Sequence, residues 1–155
     1  AASSSVSLNT LKQVTDAGIL QISPANTSPD LTTAKDGGLF FRTAPADVLQ
    51  GRILANLLLE DGHTNVAILS LQDAYGEGLA KYTTIPFEEG GGTVVTEPDT
   101  VEKAIFYDPT ANNFSAEVGE IKSLDPDAIV LIGFDESAKV VSEMVKQGIG
   151  PNTIG

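Results

Sequence analysis

Residues 66–82, VAILSLQDAYGEGLAKY, begin with a β-rich run at 66–71 and pass through a short turn into a stretch where Leu79, Tyr82, Thr83 and Phe87 recur at helical spacing. A strand that feeds a helix in this way is half of a βαβ unit. The alternation continues in both directions, with further strands predicted over 19–23, 39–43, 93–97 and 128–132. Strands alternating with helices specify an α/β fold, a mainly parallel sheet with helices on both faces. The run AIVLI at 128–132 is apolar at every position, as a parallel strand covered on both sides requires, and this places it mid-sheet.

Helix boundaries follow from local chemistry. A helix is predicted after Asp47, whose carboxylate would cap it while Gln50 reaches back, with Leu49, Ile53, Leu54, Leu57 and Leu58 on its inner face. A second stripe of Phe114, Val118, Ile121 and Leu124 must stop before Asp125–Pro126, because the residue before a proline is pushed out of helical conformation. A third helix, over 137–147, turns Val140, Val141, Met144 and Val145 inward and ends at Gly148. In 77–89, Pro86 lacks a backbone donor, so a kink or break is expected there, and the glycines at 90–92 end the element.

The elements are unevenly distributed. Residues 1–46 supply a helix and two strands, too few to close a sheet, whereas 47–155 make a nearly complete alternating unit. The chain is therefore expected to be a fragment of a two-lobed protein: 1–46 a partial first lobe and crossover, 47–155 the second lobe.

Composition narrows the function classes. With 21 acidic and 9 basic residues the net charge is −12, and the basic residues are scattered, so nucleic-acid binding through clustered Lys and Arg is not expected. No apolar run approaches the ~20 residues of a membrane span. The absence of cysteine removes thiolate catalysis and cysteine-ligated metal.

Each chemically suggestive residue has a plainer reading. His63, the one histidine, sits in a polar turn with no second histidine to share a metal, and is expected to be a surface turn residue. Gly76–Glu77–Gly78 follows a strand as a phosphate loop does, yet lacks the third glycine and any Lys-Ser/Thr pair. Asp135 and Glu136 follow a strand at the end of the sheet where open α/β folds bind ligands, and Asp135 is expected to cap the next helix. Ser3, Ser4 and Ser5 make a hydroxyl-rich helix start that suits either an anion or simple capping. No nucleophile with a base, metal site or cofactor motif stands out, and no enzyme is expected.

Six segments, in order, resemble the periplasmic solute-binding proteins of the branched-chain amino acid type, the type 1 binding fold of ABC importers. They are AASSSVS (1–7), GILQISPANTSPDLT (18–32), FFRTAPAD with LQGRILA (40–47, 49–55), VAILSLQDAYGEGLAKY (66–82), NNFSAEVGEIKSLDPDAIVLIGF (112–134) and VKQGI (145–149). The resemblance implies two lobes that close on a small polar ligand, an amino acid or related amide, and pass it to membrane permease subunits. It also implies an extracytoplasmic location, periplasmic or anchored at the cell surface. Carried onto this chain, Ser4, with Ser5 beside it, holds the ligand carboxylate; the Ala25 carbonyl accepts from the ammonium, and the Thr27 hydroxyl assists. Tyr75 closes over the ligand from the second lobe, and Phe134 stands where tyrosine is common. Asn113 replaces a frequent aspartate as a helix cap. The acidic partner of the ammonium would follow Gly155. An amide-sensing regulator of the same fold, or a doubly wound hydrolase using the serines or Asp135 with Glu136, is the alternative. The isolated chain is expected to self-associate through its first 46 residues, because strands 19–23 and 39–43 would lack neighbours.

Overall fold

The computed structural model describes residues 1–150. Its elements alternate along the chain: α1 (Ser4–Asp16), β1 (Gln21–Ser23), α2 (Asp30–Thr33), β2 (Phe40–Arg42), α3 (Asp47–Glu60), β3 (Asn65–Leu71), α4 (Ala74–Glu89), β4 (Thr93–Val94), β5 (Ile105–Tyr107), α5 (Ser115–Leu124), β6 (Ala128–Ile132) and α6 (Ser137–Lys146). Among the described residues all strand pairings are parallel, in two separate sheets. There β1 pairs with β2 alone, in the register Ile22 to Phe41, while β3 is the hub of a second sheet with β4, β5 and β6.

β3 rather than β6 takes the central place. From Val66 to Leu71 each residue is buried, and the strand is paired along both edges, whereas β6 pairs with β3 alone among the described residues and alternates buried with half-buried positions. β6 occupies one edge of β3 over Val66 to Ser70, so β4 and β5 share the other, β4 beside Asn65 and Val66 and β5 beside Leu69 to Leu71. The strand expected over 93–97 thus breaks after Val94, and β5 has no counterpart in the sequence reading. Thr96 fills the break: its hydroxyl accepts from Ile68 N–H at 3.1 Å and donates to the Lys103 carbonyl at 2.6 Å. A buried ladder donor is satisfied by a side chain where the neighbouring strand leaves off.

The helices cover this sheet, with differences from the expected faces. α3 begins one residue past its cap, Ala46, so Asp47 lies inside the first turn and makes no capping bond, and the Gln50 capping box does not form. Its inner face is Gly51, Ala55 and Leu58, while Leu49, Ile53 and Leu57 stand outward. Gly51 accounts for the rotation: a Cβ there would lie 2.4 Å from the Tyr82 carbonyl group, so α3 presses backbone to backbone on α4 through small residues. α4 runs unbroken through Pro86 to Gly90, so the expected break is absent. On α5, Phe114, Val118 and Ile121 are buried and Leu124 sits at the rim; the helix stops at Asp125, which is left-handed at φ 49° before Pro126. α6 buries Val140 and Met144 and turns Val141 and Val145 to the surface.

Candidate functional site

The rim of the small sheet is built by hydrogen bonds that tie the loop after β1 to the first residues of the sequence. Ser3 caps α1, accepting from Val6 N–H at 3.4 Å, and the loop after β1 wraps against that helix start. Within the loop Ser23 Oγ accepts from Ala25 and Asn26 N–H and donates to the Ala1 carbonyl, while Asn26 Nδ2 donates to the carbonyls of Ala1 and Ala2. This clamp presents Ala25 and Thr27 beside Ser4. The Ser4 hydroxyl faces inward: its residue is almost fully buried, and Oγ accepts from the N–H groups of Thr27 and Ser28, both at 3.2 Å.

The opposite rim comes from the large sheet. Asp73 caps α4 with Oδ1, accepting from Tyr75 and Gly76 N–H at 2.9 Å each, and this fixes Tyr75 in the first turn. Phe134, just past β6, stacks on Tyr75 with ring centroids 5.5 Å apart and planes 20° from parallel. The turn that carries Phe134 is locked by Glu136, whose Oε1 accepts from the Tyr107 hydroxyl at 2.8 Å and from Phe134 N–H at 2.9 Å. Gly133 fits there because a Cβ would lie 2.3 Å from the Tyr107 hydroxyl. Asp135 makes no capping bond to α6, contrary to expectation, since Glu136 takes that corner for the turn instead.

Between the rims lies a cavity of about 400 Å³. Ser4, Ala25 and Thr27 line it from one side, Tyr75 and Phe134 from the other, together with Ala2, Ser3 and Gln50; of these last three the sequence marks Ser3 only as part of a hydroxyl-rich helix start and Gln50 only as a capping partner. Ser5 does not line it; its hydroxyl is bound to Asp73 and the Ala74 N–H. Burial, with the negative charges of Asp47 and Asp73, holds the Tyr75 hydroxyl above its ordinary pKa, so it is a neutral donor at the cavity wall. Asp47 lies behind this wall, fully buried, with neither carboxylate oxygen properly hydrogen-bonded; burial pushes its pKa up to about 6 against the opposing pull of the Thr27 hydroxyl and Arg42.

The remaining candidates are structural. Gly76 and Gly78 permit close packing, since a Cβ would lie 2.1 Å from the Leu71 carbonyl at one and 2.9 Å from Pro29 Cδ at the other, and the Gly76 amide is already held by Asp73. His63 Nδ1 stands 3.5 Å from Asp127, at the base of β3. Asn113 Oδ1 accepts from Ser115 N–H at the start of α5. Among the described residues no three His, Asp or Glu side chains cluster as metal ligands, and no helix is long and apolar enough to cross a membrane.

Comparison with known proteins gives these rims a family. The whole sequence, residues 1–155, matches the family model described as periplasmic binding protein. The chain belongs to this family. Similar members include the Leu/Ile/Val-binding protein of Escherichia coli K12, 30% identical over 145 residues that cover 90% of this chain and 36% of that protein. The Leu/Ile/Val-binding protein homolog 3 of Brucella melitensis is 30% identical over 132 residues, 83% of this chain and 33% of the relative. Among solved structures, a leucine binding protein from Thermotoga maritima superposes with TM-score 0.77 at 25% identity, covering 91% of this chain and 38% of that one. An ABC transporter substrate-binding protein from Desulfitobacterium hafniense, in complex with Leu, gives TM-score 0.71 at 26% identity and coverage of 97% and 43%. The family is thus one of α/β solute-binding proteins rather than enzymes, and the chain spans about a third of the length of the curated relatives it matches.

Proposed function

We propose that this chain is part of the extracytoplasmic solute-binding component of an ABC importer, periplasmic or anchored at the cell surface, which encloses an amino acid of branched-chain type and presents it to membrane permease subunits. Residues 1–46 then belong to the first lobe and crossover and 47–155 to the second, a division supported by the two unconnected sheets. One observation carries the reading: residues flanking the two sheets, Ala25 and Thr27 against Tyr75 and Phe134, converge on a single cavity of a size suited to a small ligand.

The chemistry suits a zwitterion. Backbone and hydroxyl groups at Ser4, Ala25 and Thr27 offer donors and acceptors to its charged end, the stacked rings offer an apolar wall, and the acids behind Tyr75 lend negative potential that favours an ammonium. The role needs no cofactor and no catalytic group. Thermal melting of the full-length protein with a panel of amino acids, amides and small acids tests it, since a ligand of the native state raises the midpoint by mass action. A rise with leucine, isoleucine or valine is expected; a response confined to other compounds would overturn the amino-acid assignment.

A further inference from the structure

The starts of α1 and α4, helices on opposite sides of the cavity, meet through one serine. Ser5 Oγ donates to Asp73 Oδ2 at 3.2 Å and accepts from Ala74 N–H at 3.1 Å. Asp73 divides its carboxylate between two tasks, Oδ1 capping its own helix and Oδ2 reaching across to Ser5. Ala74 N–H is a first-turn donor with no partner inside its helix, so the bond from Ser5 supplies what α4 itself cannot. Each residue of the pair is next in sequence, or next but one, to a cavity-lining residue: Ser4 precedes Ser5, and Tyr75 follows Asp73 and Ala74. Any motion that parts the rims must break both bonds, and any motion that brings them together can form them.

We propose that Ser5 and Asp73 form an interlobe latch, a positioning pair that touches no ligand and sets how long the cleft stays closed. The proposal rests on the reading of the cavity as the ligand site. It assigns Ser5 a role different from that of Ser4: one serine faces the cavity loop, the next fastens the rims. Two hydrogen bonds formed only in the closed arrangement shift an open–closed equilibrium by their combined strength, and such a shift appears in the dissociation rate more than in the association rate.

The test uses the full-length protein with Ser5→Ala, which removes both bonds, and Ser5→Thr, which keeps the hydroxyl. Stopped-flow release of L-leucine is expected to quicken about 5- to 150-fold in Ser5→Ala, a range set by two hydrogen bonds of ordinary strength, and to stay near the native rate in Ser5→Thr. Spin labels at Lys12→Cys on α1 and Lys146→Cys on α6, both exposed positions, read the distance between the rims without any ligand. Longer and broader distances in Ser5→Ala than in the parent support the latch, whether or not leucine binds. Unchanged distances overturn it, including the case in which Ser5→Ala merely melts lower. Failure of the unsubstituted protein to bind leucine would count against the ligand assignment alone, and the distances would still decide the latch.

Discussion

Asp47 is the residue whose environment conflicts most with its chemistry. It is fully buried in the first turn of α3, its N–H donating to the Thr27 carbonyl at 2.9 Å while its carboxylate lacks a partner of good geometry. Its native pKa of about 6 lies above the ordinary carboxylate value, so the folded protein holds this proton more tightly than the unfolded chain. The sign follows: the group imposes no penalty below about pH 4, loses stability progressively as pH rises from there to 6, and carries the full penalty, roughly 3 kcal/mol, above that. Asp47→Asn is therefore expected to melt several degrees higher than the parent at pH 8 and at the same temperature at pH 4, by calorimetry across that range. Equal melting at both pH values would show that the carboxylate is solvated in solution. Little of this was visible in sequence, where Asp47 reads as a helix cap; one residue of offset moves it from the cap to a buried first-turn position. The segments that bring Ala25, Thr27, Tyr75 and Phe134 to the cavity were legible through the family resemblance because they are distinctive. The roles of Ser23, Asn26 and Glu136 were not, since each is set by a partner far along the chain, the Ala1 and Ala2 carbonyls for the first two and the Tyr107 hydroxyl for the third.

At the scale of elements, the contact between α3 and α4 decides the arrangement of the large sheet's cover. Gly51→Ala would place a methyl group against the Tyr82 backbone and is expected to cost about 1–3 kcal/mol in urea unfolding, whereas Ile53→Ala on the outward face should stay within about 0.5 kcal/mol. Reversed magnitudes would mean that α3 packs through its leucine face, as the hydrophobic pattern alone suggests. That pattern misled because Leu49, Ile53 and Leu57 outweigh Gly51 and Ala55 in apolarity while the small residues allow the closer approach. The edge opposite β6 gives a second test: Thr96→Val keeps the shape but removes the acceptor of Ile68 N–H, with an expected loss of about 1–3 kcal/mol. β5 escaped the sequence reading because it is a three-residue strand set apart from β4 by an excursion in which Glu97 and Lys103 both take positive φ. The long strand 66–71 and the run 128–132 were plain from composition alone, although which of them is central depends on pairing that composition does not encode.

For the whole molecule, the two sheets differ in completeness. β1 and β2 pair with each other, yet Ile22 and Phe41, opposite one another in register, are 58% and 54% exposed on one face of the small sheet. An apolar sheet face of this kind favours association, and the net charge of −12 opposes it. Sedimentation of the 155-residue chain is expected to show a concentration-dependent dimer that strengthens with salt and is lost in the double variant Ile22→Ser, Phe41→Ser. A salt-independent monomer would contradict this. The parallel α/β class was legible as element counting; how the rims of the two sheets face each other required coordinates. That facing is the central claim, and calorimetric titration of L-leucine into the full-length protein, unsubstituted and with Tyr75→Ala, tests it most directly. The account predicts a one-to-one complex that weakens about tenfold or more when the stacked ring is removed. No heat from the unsubstituted protein, or equal affinity in the variant, would contradict it.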